Sequence, residues 1–514
     1  MSPVLSPSLS PPTEASTDRR AFPAIHGAFS YVARNWTAFL LCSAIVLIPC
    51  NWHRHVQATD LGSHVYNAWL AQLVDQGLAP GLRIVPQYSN VLFDLMLSGL
   101  FRTVGPLAGE HIAVSIAVLV FFWGGFALCA AAAKCAPWGV APLLAMAAYG
   151  FIFNIGFFNL YLSAGFSLFA MAILWSGKRW DFLLLVPLAA SIWMSHLLGT
   201  GGLLAIGGFL VMLRLLPPRV QVIFTLATVG AYFVARWYLV RHFIVLPHET
   251  NLYWLLGADQ LVVSTNSYAW VAAAVLALAA ITLALRLLRD GRDGLQRVGV
   301  WLQLYAVMAL ATFSAPGGIA HPKLGLMGYL PDRASLYTIV LMICLLAAVK
   351  PAKWQLAGFG AAAIIFFSLL YVDTLAMSRL EAKLEQAVAP FKPGDRVVAT
   401  LFPEWGSRIH EQHVIDRACV EHCFLVSNYE PSSGQFRIKA SPGNRIVTWD
   451  SHISSGMQSG SYLVQPEDLP LREIYACGPT LSEICVQDLQ AGQFSGMAAY
   501  QQMDAYRRRM RGKQ

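Results

Sequence analysis

The residues best suited to chemistry directly follow the first long apolar run. From residue 51 the chain reads Asn-Trp-His-Arg-His-Val-Gln-Ala-Thr-Asp-Leu-Gly-Ser-His. Asp60 and His64 are four residues apart, so both would lie on one face of a helix that begins near Asp60. The carboxylate could accept a proton, and the first N–H groups of the helix could receive an anion such as a phosphate. Thr59 or Asp60 could equally serve only as the helix cap, so the spacing leaves both interpretations open.

Cationic and polar residues elsewhere could bind an anionic substrate group. Arg236 lies about one turn inside an apolar segment, where it could bind a ligand or extend its charge to the membrane surface. Arg333 follows Asp332, so a structural pair between the two competes with a binding role. His196 could bind phosphate or hydrogen-bond to a neighbouring helix. The full set of binding candidates is His64, Asn159, His196, Arg236, Arg241, His321, Lys323 and Arg333.

The elements that must position these residues are apolar helices. The chain has 514 residues, of which 56% are hydrophobic and only 12% charged, which excludes an ordinary soluble protein. Hydropathy and length predict about eleven transmembrane helices in an α-helical polytopic membrane protein. The predicted spans are residues 36–53, 111–133, 139–153, 157–176, 182–198, 199–215, 222–241, 268–288, 298–314, 335–349 and 354–373.

The charged loops predict the orientation of these spans. With the N-terminus in the cytoplasm, the basic clusters near Lys178 and from Arg286 to Arg297 face inward, as the positive-inside rule requires. Residues 1–33 are then a disordered cytoplasmic tail, 34–379 the transmembrane domain with a first outer loop at 54–110, and 380–514 an extracytoplasmic domain. The net charge of +8 is explained by these loops and the last helix, so no nucleic-acid partner is expected.

Residues 90–104 decide this orientation, because one further crossing would invert every later loop. Their apolar stretch is too short for a span and contains Asp94, which would be costly in the membrane. We therefore expect an interfacial amphipathic helix.

The C-terminal region predicts a small α/β domain that ends in a basic helix at about 495–510. Its predicted strands are residues 396–402, 423–429, 435–439, 445–449 and 461–464. Four cysteines, Cys419, Cys423, Cys477 and Cys485, fall in this domain. An even set in an extracytoplasmic domain favours two disulfides. A zinc site that uses Cys419, Cys423 and His413 is the alternative, although a C-x₃-C pair without a second pair is a weak zinc signature.

The order of these features resembles the GT-C superfamily of membrane glycosyltransferases. A first span, an outer loop with an acidic residue, further spans and a C-terminal outer domain are similar to that superfamily, and Gly156–Tyr161, Ser195-His196 and Tyr329–Arg333 resemble segments of bacterial members. The resemblance implies that Asp60 acts as general base or orients the acceptor, and that the donor is a polyprenyl-phosphate sugar bound by the candidates named above. It also implies the bacterial plasma membrane. The paired acidic motif of oligosaccharyltransferases is absent from the first outer loop, which argues against a divalent metal. A divalent metal is kept as an alternative, and no cofactor is assigned.

Three classes of function follow. The first is transfer of a sugar from the lipid-phosphate donor to a glycan, lipid or protein acceptor at the outer face of the membrane. The second is a lipid or glycolipid flippase, which would be expected to place its charges near the bilayer midplane. The third is a non-catalytic membrane assembly subunit.

Overall fold

The computed structural model describes residues 25–247, 252–321, 325–401, 408, 413–477 and 483–511. The chain is mostly helical, with a small sheet region at the C-terminus, as the sequence predicts. Its helices are α1 (Ile25–Arg34), α2 (Trp36–Val46), α3 (Leu61–Asp75), α4 (Leu92–Val104), α5 (Pro106–Ala133), α6 (Ala141–Ala148), α7 (Phe151–Ile155), α8 (Phe158–Ser176), α9 (Leu185–Ser195), α10 (Leu197–Gly202), α11 (Gly208–Leu215), α12 (Pro218–His242), α13 (Asn266–Ser314), α14 (Leu330–Val349), α15 (Lys353–Val388), α16 (Val414–Ala418), α17 (Tyr429–Ser433), α18 (Ser451–Gln458) and α19 (Met497–Arg511).

The strands are short and form three sheets. They are β1 (Leu82–Ile84), β2 (Ile244–Leu246), β3 (Gly318–His321), β4 (Gly325–Gly328), β5 (Asp395–Thr400), β6 (Cys423–Leu425), β7 (Ile438–Ala440), β8 (Arg472–Ala476) and β9 (Ile484–Asp488). The C-terminal sheet has the order β6-β5-β8-β9, in which β5 is parallel to both neighbours and β9 is antiparallel to β8. The two loops that precede α13 and α14 are joined by the antiparallel sheet β2-β3-β4.

Eight helical segments within the described residues are long and apolar enough to cross a membrane. They contain nine of the eleven predicted spans, because α13 alone holds the segments predicted at 268–288 and 298–314. Gly291 inside α13 has φ 53° and ψ −131°, a non-helical conformation that bends the chain between those two segments. The other two predicted spans correspond to α2 and to residues 181–195, which are apolar but shorter.

The centre of the helical region is α14. It is buried along nearly its whole length, as expected of a helix that is apolar on all sides. Beside it, α5 and α8 approach each other closely because Gly124 has no side chain. A Cβ at this position would lie 2.4 Å from the carbonyl oxygen of Gly165. On the outside of the region, α12 has no buried residue.

The segment at 90–104 forms the helix α4, which is not among the candidate membrane spans. One face of α4 packs into the protein through Phe93, Leu97 and Phe101. Asp94 lies on the same buried face, so its carboxylate points into the protein interior.

The first outer loop and the C-terminal region fold together. β1 pairs with β7 in an antiparallel register that places Leu82 opposite Ala440. Tyr66 and Leu70 of α3 share one hydrophobic cluster with Leu384 and Val397. The boundary predicted at residue 380 therefore falls inside α15, which continues to Val388 and packs against the C-terminal sheet region.

The predicted C-terminal strands differ in part from the structure. Residues 445–449 form no strand, and residues 461–464 contribute only an isolated bridge between Leu463 and Phe494. The sheet instead uses β8 and β9, which the sequence analysis did not identify. Buried and exposed residues do not alternate regularly along β8 and β9, and β9 lies at the edge of the sheet and is half exposed.

Candidate functional site

A cavity of about 440 Å³ lies where the first outer loop, the starts of α8, α10 and α14, and the C-terminal region meet. Five of the predicted site residues line it, namely Asp60, His64, Asn159, His196 and Arg333. The other lining residues are Thr59, Asn90, Ile155, Phe157, Leu160, Leu197, Leu198, Met327, Tyr329, His413, Tyr429, Gln435, Phe436 and Gln458.

Asp60 occupies the cap position of α3, but its side chain makes no capping hydrogen bond. The backbone fixes the residue instead: Asp60 N donates to the carbonyl oxygen of Ile155 at 3.0 Å. Gly156 has φ +91°, and a Cβ there would lie 2.6 Å from Asp60 N, so only glycine permits this close approach. The hydroxyl of Thr59, the other candidate cap, donates to the carbonyl oxygen of Asn154 at 3.4 Å. The Asp60 carboxylate is therefore not used by its own helix.

His413 is the charged partner of Asp60. Its Nε2 lies 3.6 Å from Asp60 Oδ1, and its Nδ1 lies 3.2 Å from Asp416 Oδ2. Burial favours the neutral ring, but the carboxylates of Asp416 and Asp60 outweigh burial and raise the pKa of His413 to about 9. The ring of Tyr429 packs against the imidazole, with centroids 5.1 Å apart. A protonated His413 keeps a positive charge beside the Asp60 carboxylate at neutral pH.

His64 is fixed by a buried carboxylate. Its Nδ1 lies 2.6 Å from Asp94 Oδ1, while Asn159 Nδ2 donates to Asp94 Oδ2 at 2.8 Å. Asn159 Oδ1 in turn accepts from the backbone of Phe93 at 2.8 Å. Burial lowers the pKa of His64, but Asp94 more than compensates and raises it to about 9. His64 is thus an oriented cation in the cavity wall.

Arg333 is not paired with the residue before it. Asp332 accepts from Arg408 Nη2 at 2.7 Å and from Tyr253 Oη at 3.0 Å. The Arg333 guanidinium lies over the ring of Phe157, 4.7 Å from its centroid, and its buried Nε has no hydrogen-bond partner among the described residues. This arrangement argues against the Asp332–Arg333 structural pair and leaves the Nε–H donor of Arg333 unpaired at a residue that lines the cavity.

His196 has both a structural function and a free nitrogen. It interrupts α9 and α10 with an extended backbone, and its Nδ1 accepts from the backbone of Leu198 at 3.0 Å, which caps α10. A ring that accepts at Nδ1 carries its proton at Nε2 when neutral, so Nε2 is available as a donor. Nδ1 of His196 therefore has the structural role, whereas Nε2 is the atom that could bind a phosphate.

The remaining predicted residues are not brought into the cavity. Arg236 Nε donates to the carbonyl oxygen of Ser314 at 2.5 Å and so joins α12 to the end of α13. Arg241 lies over the ring of Trp237 at 4.7 Å, on the exposed surface of α12. The backbone of His321 ends β3, whereas its side chain and the whole of Lys323 lie outside the described residues.

The C-terminal region supplies a part of the cavity wall that sequence patterns did not predict. Tyr429, Gln435, Phe436 and Gln458 line the cavity, and His413 was considered only as a zinc ligand. No local motif distinguishes these residues. They reach Asp60 only in the tertiary structure, where β1 pairs with β7 and α16 packs against α3. A Cβ on Gly62 would meet the His413 carbonyl oxygen at 2.0 Å, which shows how closely α3 and residue 413 approach.

A buried ion cluster holds these elements in register. Arg417, on α16, donates to Glu110 Oε1 at 2.7 Å and to Glu381 Oε1 at 2.5 Å. Glu110 also accepts from the backbone of Val56 at 2.8 Å, so the loop that leads to Asp60 is tied to α5. Burial disfavours the charged guanidinium, but the two carboxylates reverse this and raise the pKa of Arg417. The cluster fixes Asp60 relative to His413.

The four cysteines of the C-terminal region form two disulfides, Cys419–Cys423 and Cys477–Cys485. The bond between the first pair leaves no thiolate there for the alternative zinc site. No group of three or more His, Cys, Asp or Glu side chains in the described part of the chain is placed to hold a metal ion.

No protein family model, curated protein or solved structure matches this chain.

Proposed function

We propose that the protein is a membrane glycosyltransferase that moves a sugar from a polyprenyl-phosphate donor to an acceptor hydroxyl. One observation carries the proposal: the carboxylate of Asp60, which makes no capping hydrogen bond, shares a cavity with Arg333, whose buried Nε has no partner among the described residues. Glycosyl transfer needs both a base for the acceptor and positive charge for the departing phosphate.

In the proposed reaction the acceptor oxygen attacks the anomeric carbon as its proton moves to an Asp60 oxygen. The bond between the anomeric carbon and the phosphate oxygen breaks, and the phosphate leaves with the bonding electrons. Arg333 and the Nε2 atom of His196 are the donors in the membrane-side wall that could stabilise the developing charge. His413 balances the charge of Asp60 before the proton arrives.

The location of the cavity favours transfer over transport. Its wall comes from the loop after α2, the first turns of α8, α10 and α14, and the C-terminal region, which all belong to one side in the predicted topology. A flippase would be expected to place such groups near the bilayer midplane. The non-catalytic alternative does not account for a carboxylate that does not cap its own helix beside a guanidinium whose buried Nε has no partner among the described residues.

The proposal includes eleven crossings, with the N-terminus in the cytoplasm and the C-terminal region outside the plasma membrane. The bend at Gly291 supports two crossings within α13, and Arg289 and Arg292 beside it fit an inner loop. The proposed partners are the lipid-phosphate donor, the acceptor and membrane lipids.

Native mass spectrometry of the full chain in detergent tests the proposal. We expect the wild type to retain a polyprenyl-phosphate sugar, and to transfer that sugar when an acceptor extract is added. Asp60→Asn should retain the donor but not transfer it. Retention and transfer by both proteins alike would contradict the assignment.

The matched control is Asp75→Asn. Asp75 is the last residue of the same helix and pairs with the exposed Arg102, far along α3 from the cavity. The control should transfer at the wild-type rate.

A further inference from the structure

An apolar groove of about 850 Å³ lies among α1, α2, α5, α8 and α9, apart from the cavity that contains Asp60. Its walls are almost entirely hydrocarbon and aromatic; the only side-chain oxygens come from Tyr31, Ser43, Ser176 and Ser191 among the described lining residues. The volume is within the roughly 300–1,000 Å³ of ligand sites in proteins. The proposed transfer reaction makes no use of this groove.

The groove and the cavity lie at opposite ends of α8. Asn159, in the first turn of this helix, lines the cavity, whereas Ser176, its last residue, lines the groove. The 19 residues of α8 rise by about 28 Å at 1.5 Å per residue. This length is close to the roughly 30 Å of a bilayer's hydrocarbon core. The groove therefore opens toward the leaflet opposite the cavity.

Aromatic rings form the floor of the groove. Phe39 packs against Trp123 with centroids 4.7 Å apart, and Phe126 lies 5.2 Å from Trp123. Around this floor, Trp36 and Leu40 remain about 60% exposed. A surface of this kind offers no hydrogen bonds to water and favours a hydrocarbon chain.

Three basic residues lie close along the chain to residues that line the groove. Arg34, the last residue of α1, is two residues from both Val32 and Trp36, while Lys178 and Arg179 follow Ser176 at the end of α8. All three cations are exposed, and within the described residues none forms a salt bridge. Their positions match an anionic headgroup at the membrane surface above a chain in the groove.

We infer that this groove binds an anionic phospholipid, with a hydrocarbon chain between the helices and the phosphate at Arg34, Lys178 and Arg179. A second copy of the chain fits less well, because a symmetric dimer through this face would bring identical cations together. The inference requires only that the chain spans a membrane and is independent of Asp60.

The test compares two lipids with identical chains, phosphatidylglycerol and phosphatidylcholine. The full chain, stripped of lipid in detergent, is titrated with each and the bound lipid is counted by native mass spectrometry. We expect phosphatidylglycerol to bind on the order of 100-fold more tightly, since three cations near the headgroup act together. Replacement of Arg34, Lys178 and Arg179 by Gln should remove this preference.

The matched control replaces Arg286, Arg289 and Arg292 by Gln, which removes three cations from α13 at the predicted inner loop. It should retain the preference. A second variant, Ala127→Phe, fills the groove and should lower the binding of both lipids at least tenfold, and its thermal unfolding midpoint reports whether it folds.

Three results would overturn the inference. They are equal binding of the two lipids, an equal loss of preference in the control, and a native dimer that disappears in Ala127→Phe. If Ala127→Phe does not fold, the comparison of the two Gln variants decides the question by itself.

Discussion

His413 Nε2 lies 3.6 Å from Asp60 Oδ1, so the C-terminal region supplies a charge partner to the carboxylate of the first outer loop. The other ring nitrogen is held by Asp416 at 3.2 Å. This pairing makes the cavity depend on correct docking of the C-terminal region.

Asp60→Asn should reduce sugar transfer by about 10²–10⁴-fold, because the amide cannot accept the acceptor's proton. Stability should change by about 1 kcal/mol or less, since the side chain makes no capping hydrogen bond. Turnover and thermal unfolding measured on the same preparation separate the two effects. A folded variant with wild-type turnover would contradict the catalytic assignment.

Arg333→Lys should weaken donor binding, because the ammonium keeps the charge but loses the planar set of donors over Phe157. We expect a rise in the donor KM of about tenfold, and a larger loss of kcat/KM in Arg333→Gln. The control is Arg241→Gln, on the exposed surface of α12. Equal effects in Arg333→Gln and Arg241→Gln would show that the charge acts only through the overall field of the protein.

Arg417→Met should destabilise the docking of the C-terminal region by about 3–5 kcal/mol, because Glu110 and Glu381 would be left buried without their cation. Denaturant titration followed by tryptophan fluorescence measures the change. Arg472→Met is the comparison. Arg472 is itself partly exposed and pairs with half-buried Asp395 and with exposed Asp488, so its loss should cost about 1 kcal/mol or less. Adding Glu381→Gln to Arg417→Met should restore part of the loss, and an absence of any restoration would argue against the buried pair.

His64 should make stability fall at alkaline pH. Its folded-state pKa is raised to about 9 from an ordinary 6.5, so its contribution is present in full below about pH 6.5 and is lost as the pH rises through about 9. The thermal midpoint of the wild type should therefore fall more across this window than that of His64→Gln. Parallel pH profiles for the two proteins would show that the Asp94 pair does not titrate as described.

The topology predicts opposite reporter activities at two fusion points. A reporter that works only outside the cytoplasm should be active after Val388, the end of α15, and inactive after Arg292, beside the bend in α13. Western blots of the fusions control for their amounts. The reverse pattern would place the cavity on the cytoplasmic face and exclude an acceptor at the outer surface.

The helices and one part of the cavity could be predicted from the sequence. Apolar segments of sufficient length and the four-residue spacing of Asp60 and His64 are local properties, so they were readable along the chain. The bend at Gly291 was also foreseeable, because the basic residues around it interrupt the apolar pattern. Local patterns failed for Arg236, because its hydropathy environment does not reveal that Ser314 accepts its hydrogen bond.

By itself, the sequence determined an apolar, mostly helical chain. It also determined that Asp60 and His64 lie four residues apart after the first apolar segment, and that four cysteines lie in the C-terminal region. Only the tertiary structure decided that Asp332 pairs with Arg408, which leaves Arg333 to face the cavity, and that His413 reaches Asp60. The physical reason is that hydropathy and helical periodicity are fixed by neighbours in the chain, whereas the partner of a charge is set by the packing of distant segments. Here that packing is the docking of α16 and β7 against the first outer loop.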